Sequence, residues 1–386
     1  MRLTRVELAD FRGYQKAEVV LPAGVSTLLG RNGQGKTNFV EAVGYVATLA
    51  SHRVAGDAPL VRYGCDRAVI RAEVVRESRS ALVEIEIVTG RANRARLNRS
   101  PVSRQREVLG TVRTILFAPE DLALVKADPS ERRRFLDDLL VARQPRWQGV
   151  RQDYDKALKQ RNALLKSQRT ARRSDVPSDA ATLAVFDSHL AQIGGALTYA
   201  RLRLLRDLVP FLQHAYAAIS DSTTAVSATY RPSWAQALPL PEGSAEMPDA
   251  EDIGHAMMQT MQQWATEERE RGVSLVGPHR DEVYLALGEM PARGYASHGE
   301  SWSIALALRL ASFFLLRRDL STDPVLILDD VFAELDTGRR ERLAEMVADC
   351  EQVLVTAAVP QDVPSQLGEG TVFEVDAQTI SARERS

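Results

Sequence analysis

Cysteine is nearly absent. The two that occur in 386 residues, Cys65 and Cys350, have no CxxC spacing and no histidine cluster beside them. They offer neither a disulfide framework nor a zinc site, and both read as plain core or surface residues. Long apolar runs are missing too: the longest, Ile304 to Leu316, is broken by Arg309. It falls short of the roughly 20 residues that cross a bilayer, so it reads as a buried helix and no membrane crossing is expected. The start of the chain, Met1-Arg-Leu-Thr-Arg-Val-Glu, lacks the apolar stretch of a signal peptide, and a cytoplasmic protein is expected. Net charge of either sign is small, 49 Lys and Arg against 51 Asp and Glu, so the total neither points to nucleic acid nor excludes it. There is no internal repeat. What remains, 45% hydrophobic and 26% charged, is an ordinary globular composition long enough for one large core or two, which excludes disordered and collagen-like classes.

Charge distribution says more than the sum. Residues 131–175 hold thirteen Lys or Arg against six Asp or Glu, and residues 91–106 hold six Arg and no acid. Each such run is either a solvated face or a surface for phosphates. Strand patterns run over residues 3–8, 16–21 and 24–29, and a glycine-rich loop follows at once. After it, residues 38–49 repeat apolar positions at helical spacing. Further strands are expected over 68–75, 81–88 and 112–117, then over 273–276, 282–287, 325–328, 352–355 and 371–375, with an amphipathic helix over 337–350. Between them, from Pro129 to about Arg271, the chain is mostly helical, with breaks at 174–178 and in the proline-rich 231–252. The spacing predicts an α/β head, mixed sheets with flanking helices, from residues 1–128 plus 272–386. Residues 129–271 would form an inserted, mainly helical lobe.

The loop is Gly30-Arg31-Asn32-Gly33-Gln34-Gly35-Lys36-Thr37, followed by Asn38, and it fits the phosphate-loop pattern G-x-x-x-x-G-K-[ST]. Bare backbone there lets N–H groups and a helix N-terminus close on phosphate oxygens. Lys36 is the candidate for neutralising the β- and γ-phosphates of ATP, and Thr37 for holding Mg²⁺. Val325-Leu-Ile-Leu-Asp329-Asp330 is a buried-strand run ending in two carboxylates, a Walker B element about 290 residues downstream. Its first acid, Asp329, would reach the metal and its second, Asp330, would orient the attacking water. Ser297-His-Gly299-Glu300 reads as a capping box at the start of the apolar helix. In ATPases with ABC-type heads, a signature serine at a helix start faces the γ-phosphate held by a second subunit, and the two readings are compatible.

Eight stretches together resemble the RecF family of bacterial DNA repair and replication proteins. They are Asp10-Phe-Arg-Gly-Tyr14, the loop through Ala42, Phe117 to Leu122, Arg132-Arg-Arg-Phe-Leu-Asp137, Tyr154 to Leu165, Gly277-Pro-His-Arg-Asp281, Ser297 to Glu300, and Leu328 to Asp336. They span nearly the whole chain, and the insert is too short and too poor in heptads for the long coiled coil of SMC-like relatives. The resemblance implies an ATP-dependent homodimer that binds double-stranded DNA near gaps and promotes recombinase loading with RecR and RecO type partners. It also implies a weak, DNA-stimulated ATPase. Asp336 matches the D-loop that touches the partner subunit, and reads equally as a helix N-cap. Arg53, Arg132, Arg133 and Arg134 are the candidates for contacting DNA.

There are departures from the general ABC pattern. The long Leu-Ser-Gly-Gly-Gln signature is absent, Val355-Thr-Ala-Ala stands where a switch histidine is expected, and Asp330 stands where glutamate is usual. A carboxylate one methylene shorter suits slow hydrolysis, with turnover not well above about 1 per second. Glu120 and Asp121 occupy the Q-loop neighbourhood without a glutamine, which leaves a metal or water role open for them. The rival readings are a transporter's ATPase subunit, against which the basic insert argues, and a structural clamp that holds nucleotide without turnover.

Overall fold

The computed structural model describes residues 1–170, 177–220, 222–240 and 247–383. Its elements, in chain order, begin with β1 (Arg2–Phe11), β2 (Tyr14–Val20), β3 (Gly24–Leu29), α1 (Lys36–Thr48), β4 (Arg67–Arg76), β5 (Arg79–Val88), β6 (Arg94–Leu97), β7 (Ser100–Pro101) and β8 (Thr114–Phe117). Then come α2 (Ala123–Lys126), α3 (Pro129–Arg143), α4 (Trp147–Thr170), α5 (Pro177–Ile219), β9 (Val226–Arg231), α6 (Ala250–Arg271), β10 (Glu282–Leu287), β11 (Met290–Pro291) and α7 (Ala292–Tyr295). The last are α8 (His298–Leu320), β12 (Val325–Asp329), α9 (Thr337–Val347), β13 (Gln352–Ala357), β14 (Thr371–Asp376) and β15 (Thr379–Ala382).

Two compact units result, one of Met1–Val125, Pro210–Val226 and Tyr295–Ser386, the other of Lys126–Val209 and Ser227–Gly294. The sequence places the divisions at 128/129 and 271/272. In the structure residues 210–226 side with the head, and 272–294 side with the lobe. One division falls inside α5 at Pro210, which removes a helical N–H donor. The expected break at 174–178 falls largely on residues 171–176, outside the described residues, as does 241–246 of the proline-rich stretch.

In the first unit an antiparallel sheet, β2-β1-β4-β5-β6-β7, faces a second sheet, β15-β14-β3-β13-β12-β8, and α1 packs on strands of both. In the second sheet β14, β3, β13, β12 and β8 are parallel neighbours, with β15 antiparallel at the edge. Such strands are covered on both faces, which is why β12 and β13 are buried at every position. β1 shows how an imperfect alternation still folds. Leu3, Val6, Leu8 and Phe11 all point inward, and a register shift between Leu3 and Arg5 absorbs the odd residue. Leu3, Val6, Phe39, Ile70, Ile327 and Phe373 belong to one core. α8 is long and apolar enough to cross a membrane, but 78% of its apolar window is buried inside the fold. Arg309, which interrupts that window, pairs with Asp121.

The second unit packs α4 on α6 and α3 on β10, with a small sheet ordered β11-β10-β9. Gly195 lets two helices meet closely, since a Cβ there would lie 2.3 Å from Ala250 O. Buried arginines hold the unit together. Arg161 reaches Asp187 and Glu268 at 2.6 Å and Ser274 at 2.7 Å, while buried Arg201 holds both oxygens of Asp137 and donates to Pro278 O at 2.6 Å.

The strand expected over 273–276 does not form. Its amides are taken by side chains instead: Ser274 N donates to Asn162 at 2.7 Å and Leu275 N to Glu268 at 2.6 Å, so no ladder is available to them. β8 starts at Thr114, two residues later than expected, and α9 ends at Val347.

Candidate nucleotide site

The loop between β3 and α1 lies at the end of the central parallel strand. Gly35 is the N-cap of α1 with φ 118°, and no side-chain cap satisfies the first-turn amides. Those amides and the helix dipole form a concavity suited to an anion. Two glycines are required by close approach. A Cβ on Gly30 would lie 2.1 Å from Val375 O, and one on Gly35 would lie 2.7 Å from both Tyr14 OH and Gln378 Oε1. Lys36, buried along its stem, turns its ammonium back onto Gly30 O at 2.7 Å, with Arg31 O at 3.5 Å and Asn32 Oδ1 at 3.4 Å. It already sits among the loop's own acceptors.

The loop is braced from a distance. Ala377 N donates to Gln34 Oε1 at 2.6 Å, Gln378 N to Gln34 O at 3.1 Å, and Tyr14 OH to Gly35 O at 3.0 Å. Ala377 and Gln378 form the turn between β14 and β15, both with positive φ. Sequence reasoning missed these supports. Tyr14 lay inside a recognised stretch, but nothing in the pattern marks Gln378.

β12 delivers Asp329 next to the loop. Its Oδ1 accepts from Thr37 Oγ1 at 3.2 Å and from Thr356 Oγ1 at 2.6 Å. Burial pushes its pKa up to about 6; the Thr356 hydroxyl opposes this, and the neighbouring Asp330 and Glu120 carboxylates add to it. A buried carboxylate of raised pKa that faces hydroxyls fits a hard divalent cation, which takes oxygen donors. Asp330 follows in the left-handed region, φ 51°, with its N–H on Thr356 Oγ1 at 2.9 Å.

Asp121 and Glu120 separate cleanly. Asp121 is locked by Arg309 at 2.6 and 3.1 Å and by Ala118 N at 3.1 Å, a structural role. Glu120 is exposed and lies within electrostatic reach of Asp329 and of His52, whose pKa burial lowers. Beside α1, Glu41 is fully buried and gathers Arg12, Ser51 and Arg53. Arg53 also reaches Asn38 Oδ1 at 3.1 Å, which ties it to the loop helix.

Ser297 caps α8 as expected. Its Oγ accepts from Glu300 N at 3.3 Å, and Ser297 N donates to Glu300 Oε2 at 2.8 Å. Both the amide and the side chain of Ser297 bond the Glu300 carboxylate and hold its pKa below the usual range. Gly299 is overlain by Arg339, whose Nη1 would lie 3.1 Å from a Cβ there. Asp336 caps α9 through Arg339 N at 2.9 Å and pairs with the Arg339 guanidinium, so the N-cap geometry is realised.

The basic run of α3 needs correction. Arg132 is buried against Glu282 at 2.7 Å and Ala127 O at 3.2 Å, so it serves packing and presents no charge to a phosphate. Half-buried Arg133 donates to Asp281 O at 2.9 Å, and exposed Arg134 lies 3.7 Å from Asp138. Arg143 and Arg151 likewise pair with Asp207 and Asp138. Glu282 and Asp207, from outside the run, answer two of its arginines, and Asp138 within it answers two more.

The family model described as RecF/RecN/SMC N terminal domain matches residues 2–373. A curated relative from Frankia alni, "DNA replication and repair protein RecF", is 58% identical over 380 residues, 98% of this chain and 99% of that one. A protein of the same name from Kineococcus radiotolerans is also 58% identical, over 96% of both chains. Among solved structures, the recombination mediator protein RecF-ATP of the RecFOR pathway superposes with TM-score 0.87 at 24% identity, over 99% of this chain and 97% of that one. An Smc head bound to a domain of ScpA superposes with TM-score 0.56 at 14% identity, over 100% and 98%. These likenesses show the shared ABC-type head fold. The chain belongs to the RecF family of DNA replication and repair proteins.

Proposed function

We propose that the chain is an ATP-dependent, DNA-binding switch in recombinational repair and replication-fork maintenance. The loop of residues 30–38 binds the phosphates of ATP, and Thr37 with Asp329 holds Mg²⁺, which would neutralise phosphate charge. Asp330 orients the attacking water, and turnover is slow. A second copy of the chain presents Ser297, Gly299 and Glu300 to the γ-phosphate, with Asp336 at the same junction, so ATP favours a dimer and hydrolysis releases it. The observation that carries this reading is the uncapped N-terminus of α1 at Gly35, with Thr37 in its first turn bonded to Asp329 at 3.2 Å. The relatives' names support DNA as the substrate, and the RecFOR description of a fold neighbour supports RecO and RecR type partners.

For DNA contact the exposed β6–β7 hairpin is better placed than α3. Arg94 and Arg96 project from one side of β6, and exposed Arg99 follows in its turn. Arg53, held against the loop helix, is kept as a nucleotide-side candidate.

The test is oligomeric state and duplex binding of wild type, Lys36→Met, Ser297→Arg and an Arg94/Arg96/Arg99→Ala variant, with and without ATP. ATP-dependent dimers and DNA binding should be lost in the first two variants. The third should dimerise but bind DNA weakly, with a salt slope reduced by about two to three. DNA binding indifferent to ATP and to all these changes overturns the proposal.

A further inference from the structure

We infer that Thr356 is a positioning residue for both Walker B carboxylates, a role that rests on the ATP site proposed above. β13 is buried throughout and lies between β12 and β3, and its register sets Thr356 directly opposite Asp329. Its neighbours along the strand, Val353, Leu354 and Val355, are apolar, as a covered parallel strand requires. A hydroxyl among them is costly unless it is fully bonded.

The Thr356 hydroxyl has one proton and two lone pairs. The proton goes to Asp329 Oδ1 at 2.6 Å, and a lone pair accepts from Asp330 N at 2.9 Å. Asp330 Oδ1 lies 3.4 Å from the same oxygen. One atom thus fixes the first carboxylate, the peptide that joins the two acids, and the start of the second side chain.

That peptide needs holding. Asp330 has φ 51° and ψ 22°, a left-handed conformation that costs a non-glycine residue about 1 kcal/mol or more. Without the Thr356 acceptor its buried-side N–H loses its partner, and rotation of the 329–330 peptide re-aims both carboxylates. Thr37 would then be left alone on Asp329 Oδ1. Residues 355–358 carry no histidine, so this hydroxyl supplies hydrogen bonding at the strand end without titrating in the physiological range.

Thr356→Val keeps the branched shape and removes the hydroxyl, and Thr356→Ser keeps the hydroxyl. Two readouts are compared: Mn²⁺ binding in the presence of ATP, followed by electron paramagnetic resonance, and steady-state ATP hydrolysis. Valine should weaken Mn²⁺ binding and lower kcat about tenfold, the equivalent of one hydrogen bond to a charged group, while KM for ATP moves less than about threefold. Serine should restore both to within about threefold of wild type. Should the valine variant fail to fold, Thr356→Ala and Thr356→Ser, which lose the same methyl and differ in the hydroxyl, make the same comparison. A hydroxyl-free variant that folds and matches wild type in both readouts overturns the inference, as does a serine variant no better than alanine. Wild type that binds neither ATP nor Mn²⁺ overturns the nucleotide site itself, and the inference with it.

Discussion

Replacing Asp329 by Asn should make the nucleotide-free protein more stable at neutral pH while disabling the proposed cation site. The carboxyl is 2% exposed, and burial lifts its pKa from the ordinary 3.8 to about 6. Between those two values the folded chain keeps a proton that the unfolded chain has released. Stability therefore falls as pH rises through about 4 to 6, and stays lower above. At about 1.4 kcal/mol per pH unit, the penalty near pH 7.5 is about 3 kcal/mol. Asparagine carries no charge to desolvate, and its Oδ1 can still accept from both Thr37 and Thr356, which bond to that one oxygen in the wild type. Urea unfolding in EDTA near pH 7.5 should show the Asn variant more stable by up to about 3 kcal/mol, with the gap narrowing to about 1 kcal/mol near pH 4.5. With Mg²⁺ and ATP the order should reverse, since only wild type gains the linkage energy of the bound ligand. An Asn variant less stable in EDTA at neutral pH, or a gap of equal size at both pH values, refutes the electrostatic argument.

Gly35→Ala should reduce ATP affinity at least tenfold, measured with a fluorescent nucleotide, because it adds a clash with Tyr14 and Gln378 to the strain of φ 118°. Gly33→Ala, at φ 84° with nothing within 4 Å of its added Cβ, should cost only the strain; equal effects from the two would show that the close approach is irrelevant. Arg201→Met should lower stability by about 3–5 kcal/mol, seen as an earlier urea transition, because Asp137 loses both of its bonds to Arg201 inside the lobe. Arg201→Lys should recover less than half, as one ammonium cannot serve both oxygens, and an unchanged midpoint in either variant would contradict the account.

The parts of the site visible in the sequence are those whose meaning is local. The loop of residues 30–37, the apolar run ending at Asp329 and the Ser297/Glu300 box each need only neighbours along the chain, and spacing exposes them. The parts that were not legible depend on pairing across the chain. Thr356 matters because β13 lies beside β12, and Gln378 because a distant turn reaches the loop. Arg132 looked like one of three equivalent cations in a basic run, yet its partner Glu282 is 150 residues away, and no local pattern separates it from Arg134. Residues 273–276 have strand-like composition, but Asn162 and Glu268 claim their amides first. The domain divisions differ for a related reason: Pro210 stands at the division inside α5, but a lone proline in a helical run does not say which unit the turns after it pack against.

The bracing of the phosphate loop by the β14–β15 turn also orders events during synthesis. Gln34 is held by Ala377 and Gln378, and β3, which delivers the loop, lies between β13 and β14 in its sheet. A ribosome that has made the loop and α1 has therefore made neither the strands nor the turn that shape them. The nascent chain cannot complete this bracing until residue 378 has emerged, so a truncated product carries the phosphate-loop sequence without the turn that holds it in shape.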